Sequence, residues 1–132
     1  MTKENKDLLL KDLCSRLPYT IKGNFLNDDG SLSNDPLLRK VPITYSSLVT
    51  ADGNDGMVLN GDVKPYLFPL SSMTEEQMNH YLDLQDSTTS EWGYPLYFDC
   101  VESIDWLNEN HFDYRGLIEN GLAIDATGLN IY

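Results

Sequence analysis

The chain is poor in the residues that metal and redox chemistry need. Its 132 residues include two cysteines, Cys14 and Cys100, and two histidines, His80 and His111. Two cysteines in apolar surroundings make no disulfide framework, and both read as buried small side chains in a reducing compartment. There is no Cys-x-x-Cys, no His-Glu-x-x-His and no glycine-rich phosphate loop. The segment Asp52-Gly53-Asn54-Asp55-Gly56 has the flavour of a calcium loop. It places glycine where a ligand belongs and brings no closing glutamate, so it reads as a turn. Neither a metal nor a cofactor is expected.

Long apolar runs are also missing. No stretch approaches the ~20 apolar residues of a membrane span. The run Leu8-Leu9-Leu10 falls short of the ~7–15 apolar residues of an export signal. The expectation is a cytoplasmic chain with no membrane association.

Positive charge is what the second half lacks. Residues 1–70 hold nine acids and eight bases, whereas residues 71–132 hold twelve acids and one base, Arg115. The formal net charge of −12 therefore belongs almost wholly to residues 71–132. Such a field repels nucleic acid and anionic lipid, and it matches a basic protein partner. The sequence leaves oligomeric state open.

What is present suffices for one domain. A chain of this length with 41% hydrophobic residues can bury a single core. Residues 3–17 read as a helix, with Thr2 as N-cap, Pro18 as stop, and Leu10, Leu13, Cys14 and Leu17 on its apolar face. Residues 19–25 alternate as a strand, and Asn27-Asp28-Asp29-Gly30 turns. Residues 41–50 read as a second strand. A short run, Met57-Val58-Leu59, precedes Asn60-Gly61, a hairpin signal. Residues 63–70 form a third strand, and Pro65 and Pro69 mark it as an edge.

From Ser71 the pattern becomes helical. Thr74-Glu75-Glu76-Gln77 is a capping box that starts a helix to about Leu84. Residues 101–110 read as another helix. Residues 113–121 read as a short one, with Asp113 as N-cap and Gly121 as left-handed stop. Residues 122–132 are a final strand or a tail. The fold class is α+β: an N-terminal helix, a small antiparallel β-meander or SH3-like barrel, and C-terminal helices. Residues 1–132 form a single domain, with helix and meander in 1–70 and an acidic, mainly helical half in 71–132.

Three segments taken together resemble a known family. They are Leu8-Leu9-Leu10-Lys11-Asp12-Leu13-Cys14-Ser15-Arg16-Leu17-Pro18-Tyr19, the stretch from Lys64-Pro65-Tyr66-Leu67-Phe68-Pro69 to Thr74-Glu75-Glu76, and that from Trp106-Leu107-Asn108-Glu109-Asn110-His111 to Gly121-Leu122-Ala123. They resemble small uncharacterised proteins of gut Bacteroidetes, their phages and other mobile elements. The resemblance implies a bacterial or phage cytoplasmic protein and brings no activity or catalytic residue with it. Residues 23–61 depart most from the family.

The candidate sites lie in the second half. Asp99, Glu102, Asp105 and Glu109 recur at three- and four-residue steps and line one helical face. This stripe is a solvated face or a surface for a basic partner. Trp92, Tyr94, Tyr97, Phe98 and Trp106 supply core or an acid-rimmed hydrophobic patch. His111, Asp113, Tyr114 and Arg115 fall within five residues. They serve a structural junction or an acid–base site, and Arg115 neutralises a nearby acid or anchors a partner carboxylate. The candidate interaction residues are therefore Trp92, Tyr94, Glu102, Asp105, Trp106, Glu109, His111 and Arg115. The sequence points to a non-enzymatic interaction or regulatory protein of a phage or mobile element. The alternatives are an acidic nucleic-acid mimic aimed at a host defence protein, and a small enzyme built around His111.

Overall fold

The computed structural model describes the backbone of residues 1–86 and 97–132 and the side chains of residues 1–84 and 101–132. The architecture is α+β. In chain order it runs α1 (Lys3–Arg16), β1 (Lys22–Phe25), β2 (Val41–Pro42), α2 (Tyr45–Leu48), β3 (Val63–Pro69), α3 (Glu75–Asp86), α4 (Tyr97–Glu109), β4 (Phe112–Asp113) and β5 (Ile124–Asp125).

Helix α1 begins where expected, with the Thr2 hydroxyl accepting from the Asn5 amide at 3.2 Å. Its inward face is turned from the predicted one. Leu9, Asp12, Leu13 and Arg16 are buried, Leu10 and Leu17 are half-buried, and Cys14 is exposed. The expectation of a buried Cys14 is therefore corrected. Asp12 and Arg16 go inward as an i, i+4 ion pair, which binary patterning alone reads as wet. The side chain of Cys100 lies outside the described residues.

The sheet is mixed. Strand β1 pairs antiparallel with β2 (Gly23 opposite Val41) and with β3 (Asn24 opposite Lys64). Strand β3 pairs parallel with β4 (Phe68 opposite Phe112) and with β5 (Tyr66 opposite Ile124). A purely antiparallel meander is thus corrected, and the described pairings do not close an SH3-like barrel. The acidic half is not simply helical, since it supplies both parallel strands.

Strand β3 is central, not an edge. Its backbone alternates sides. The Asp62 carbonyl accepts from the Leu26 amide and the Phe68 amide donates to the His111 carbonyl, whereas the Leu67 carbonyl accepts from the Ala126 amide. Pro65 falls one step from Lys64, so its ring nitrogen turns away from β1, and pairing with β5 begins only at Tyr66. The missing donor is accommodated without leaving the sheet.

Three further expectations fail for local reasons. Residues 45–48 are helical, not extended, because the Ser47 hydroxyl accepts from the amide of the capping residue Thr44 at 3.0 Å. Gly56 then packs against the Ser47 backbone, where a Cβ would collide. Residues 57–61 form a helical turn, with the Asn60 amide donating to the Gly56 carbonyl and Gly61 stopping it at φ +84°. Asn60-Gly61 is therefore a stop, not a hairpin turn. The predicted helix over 113–121 is a strand followed by turns, because Gly116 sits at φ +76° and breaks the path.

Leu9, Leu13, Ile21, Leu48, Val58, Val63, Leu67 and Leu117 form the main core, between α1, the sheet and the 113–122 turns. No helix among the described residues is long and apolar enough to cross a membrane.

Candidate functional site

The functional region is assembled where α1, α4, β4 and the last residues meet. Its base is a buried charge cluster. Asp12 and Arg16 are both completely inaccessible. The Arg16 Nε donates to Asp12 Oδ2 at 2.8 Å and its Nη2 donates to Asp12 Oδ1 at 3.1 Å. The same Nη2 donates to the Phe112 carbonyl at 2.7 Å, which ties α1 to β4. Arg115 donates to Asp12 Oδ1 at 3.0 Å from the other side. The Tyr114 ring lies under both guanidinium groups, at 5.2 Å from Arg16 and 4.7 Å from Arg115. One carboxylate thus faces two guanidinium groups, and the cluster carries a positive excess. Arg115 therefore spends its charge inside the molecule, on an acid of the first half.

Above the cluster runs an aromatic layer. Tyr81 stacks on Trp106 at 6.0 Å, and Trp106 on Phe112 at 5.6 Å. Phe112 meets Phe68 at 6.2 Å, and Phe68 meets Tyr132 at 6.1 Å. Tyr132 lies flat on His111, with 3.6 Å between ring centres and 13° between planes. Trp106 therefore sits in packed surroundings. Trp92 and Tyr94 lie outside the described residues, as do the side chains of Tyr97, Phe98 and Asp99.

Tyr132 also completes the sheet. Its hydroxyl accepts from the Lys22 amide at 3.0 Å and donates to the Tyr66 carbonyl at 2.9 Å, bridging β1 and β3 where their ladder opens. Burial raises its phenol to about 12, against the opposing hydrogen bond from Lys22.

His111 follows α4 directly, not between two helices as its sequence position suggests. It occupies a left-handed backbone position, φ +64°, which is uncommon for a residue with a side chain. Its amide donates back to the Asn108 carbonyl at 3.1 Å, so it serves as the stop of α4. The ring is buried and its Nδ1 has no hydrogen-bond partner among the described residues. Burial first, then the positive charges of Arg16 and Lys22, lower its pKa from 6.5 to about 4. The imidazole is neutral at physiological pH.

His111 also lines a cavity of about 390 Å³. Phe68, Phe112 and Tyr132 form the apolar wall, and Ser72, Gln77, Glu109, Asn110 and Thr127 supply polar groups. The other three members of the predicted acid–base group do not join it. Asp113 accepts from the Leu117 and Ile118 amides at 3.0 and 2.9 Å, and the Tyr114 hydroxyl donates to Asn108 at 2.8 Å. With Arg115 on Asp12, the convergence that an acid–base site requires is absent from these four residues.

The outer surface meets the cavity at Glu109. Glu102, Asp105 and Glu109 are exposed on α4, as are Glu75, Glu76 and Asp83 on α3. No ion pair among the described residues engages them. The same two helices expose Met78, Leu82, Val101 and Ile104, each 40% accessible or more. Sequence reasoning missed Asp12, Arg16 and Tyr132. The Asp-x-x-x-Arg spacing in α1 was a readable signal for the pair, but its burial was not. Compared with protein-family models, curated proteins and solved structures, the chain matches none.

Proposed function

We propose that this chain is a non-enzymatic interaction protein whose α3–α4 surface docks a basic, amphipathic protein segment. One observation carries the reading: Arg115, the sole base of residues 71–132, is turned inward onto Asp12. Helices α3 and α4 contain neither lysine nor arginine, so their exposed carboxylates have no counter-charge on those helices. Exposed Met78, Leu82, Val101 and Ile104 lie among these acids and offer apolar area to the same partner. Charge complementarity sets the partner's sign, and the apolar residues require that it carry apolar side chains beside its bases. The bacterial cytoplasmic setting is part of this proposal and rests on the sequence resemblance alone.

The test is affinity capture from a bacterial host lysate with matched variants. The wild type retains a partner, Glu102→Lys/Asp105→Lys loses it, and Asp28→Lys/Asp29→Lys, which changes an equally exposed acid pair in a distant turn, keeps it. Equal retention by both double variants would refute the assignment of this surface.

A further inference from the structure

We propose that the cavity beside His111 is a binding site for a small organic carboxylate, held by the His111 Nε2–H with its apolar body against Phe68, Phe112 and Tyr132. This site adjoins the α3–α4 surface, since Gln77 of α3 and Glu109 of α4 line it, but it rests on separate observations.

The first is the state of the imidazole. Among the described residues two buried side-chain atoms lack a hydrogen-bond partner, His111 Nδ1 and Arg16 Nη1. They flank Phe112: Arg16 holds the Phe112 carbonyl, and His111 is the preceding residue. A guanidinium nitrogen only donates, so the matching role for a buried Nδ1 in its field is the bare lone pair. The ring proton then sits on Nε2. Nε2 is not among the sealed atoms and makes no bond to a described residue, so it belongs to the ring edge that lines the cavity. A pKa near 4 keeps the ring neutral, and the nitrogen on the cavity side is a standing donor.

The second is how firmly that donor is held. The ring is stacked on Tyr132, whose hydroxyl is fixed between Lys22 and Tyr66. The backbone of His111 is in the left-handed region, a conformation retained at some cost and concentrated at functional sites. The third is the polarity of the cavity. Gln77 commits its carbonyl oxygen to the Thr74 amide, which leaves its amide nitrogen as a second donor in the lining. The Lys22 ammonium bonds to the Ile131 carbonyl and, among the described residues, to no carboxylate. Arg16 adds the positive excess of its cluster. Glu109 is the single side-chain carboxylate in the lining, and it is exposed. Two donors under a positive field match an acceptor-only anion, and three aromatic side chains match an apolar body attached to it. The volume lies in the range of small-molecule sites, roughly 300–1,000 Å³.

The test uses benzoate as probe, followed by NMR of the imidazole nitrogens and the aromatic side chains. Long-range proton–nitrogen spectra of the free protein should show the Nε2–H tautomer. Benzoate should shift His111 Nε2 and the Phe68 and Phe112 signals saturably, and benzyl alcohol should bind about tenfold more weakly or worse, for loss of the charge-assisted bond. Thr127→Trp, which fills the cavity from its exposed rim, should abolish the shifts, as should His111→Asn, which keeps a residue tolerant of positive φ. A proton on Nδ1, no saturable shift at millimolar benzoate, or equal binding of benzyl alcohol would each overturn the proposal.

Discussion

Acidification should destabilise this protein through His111, and the size of the effect follows from the structure. His111 is only 9% accessible, and its ring is stacked on Tyr132 within the field of Arg16 and Lys22. In the folded state its pKa is about 4, whereas the unfolded chain takes up the proton at 6.5. The depressed value means that folding excludes a proton. Its contribution is fully present above pH 6.5 and is lost as the pH falls toward 4. A tenfold change in proton affinity corresponds to about 1.4 kcal/mol. Excluding the proton from His111 is therefore worth about 3 kcal/mol, with about 2 kcal/mol already lost near pH 5. That is a large share of a typical stability of about 5–15 kcal/mol. The assay is urea unfolding of the wild type and His111→Asn, at about pH 7.5 and about pH 5. Asparagine accepts the left-handed backbone and does not titrate. Carboxylates that protonate over the same interval contribute equally to both proteins, and the difference isolates His111. The wild type should lose about 2 kcal/mol more than the variant. An equal loss would refute the reasoning, because it would mean that His111 takes up its proton without leaving its place on Tyr132.

Three further outcomes follow from the packing. Asp12→Asn leaves Arg16 buried without its counter-charge, and chemical denaturation should show a loss of about 3–5 kcal/mol, whereas Arg115→Ala, whose side chain is 22% accessible, should cost about 1 kcal/mol or less. Tyr132→Phe removes the hydroxyl between Lys22 and Tyr66 and should cost about 1–3 kcal/mol, with faster hydrogen exchange at the Lys22 amide than at Asn24. Gly56→Ala places a methyl group against the Ser47 backbone and should cost about 1–3 kcal/mol in thermal unfolding, whereas Gly53→Ala, with open space around it, should cost about 1 kcal/mol through its positive φ alone.

The legible parts of the fold were those that local chemistry decides. Thr2 and the Thr74–Gln77 pair cap their helices as their spacing indicates, with bonds of 3.2, 2.9 and 3.1 Å. The illegible parts were decided at long range. Pro65 argues for an edge strand until the direction of its ring nitrogen is known, and only the pairing of β3 gives that. Asp12 and Arg16 look wet on a helical wheel, because their burial depends on Phe112 and Arg115, about a hundred residues away in the chain. The β-branched run over 41–50 concealed the hydroxyl of Ser47, which closes a helical turn instead. Among the candidate residues, the sequence grouped His111 with Asp113, Tyr114 and Arg115 by adjacency. The fold sends each to a different task and gives His111 the company of Tyr132 and Phe68, which adjacency does not reveal. Glu102, Asp105 and Glu109 are exposed on one helix, as their three- and four-residue steps indicate.

The surface formed by α3 and α4 is tested most directly by titrating the isotopically labelled protein with a synthetic amphipathic peptide carrying alternate lysine and leucine turns. Amide and methyl shifts should concentrate at Met78, Leu82, Val101 and Ile104. Glu102→Lys/Asp105→Lys should weaken binding by about tenfold or more, the equivalent of roughly 1.4 kcal/mol, while Asp28→Lys/Asp29→Lys leaves it unchanged. Shifts spread evenly over all exposed acids, with both double variants equally weakened, would show that net charge alone attracts the peptide and would contradict a built docking surface.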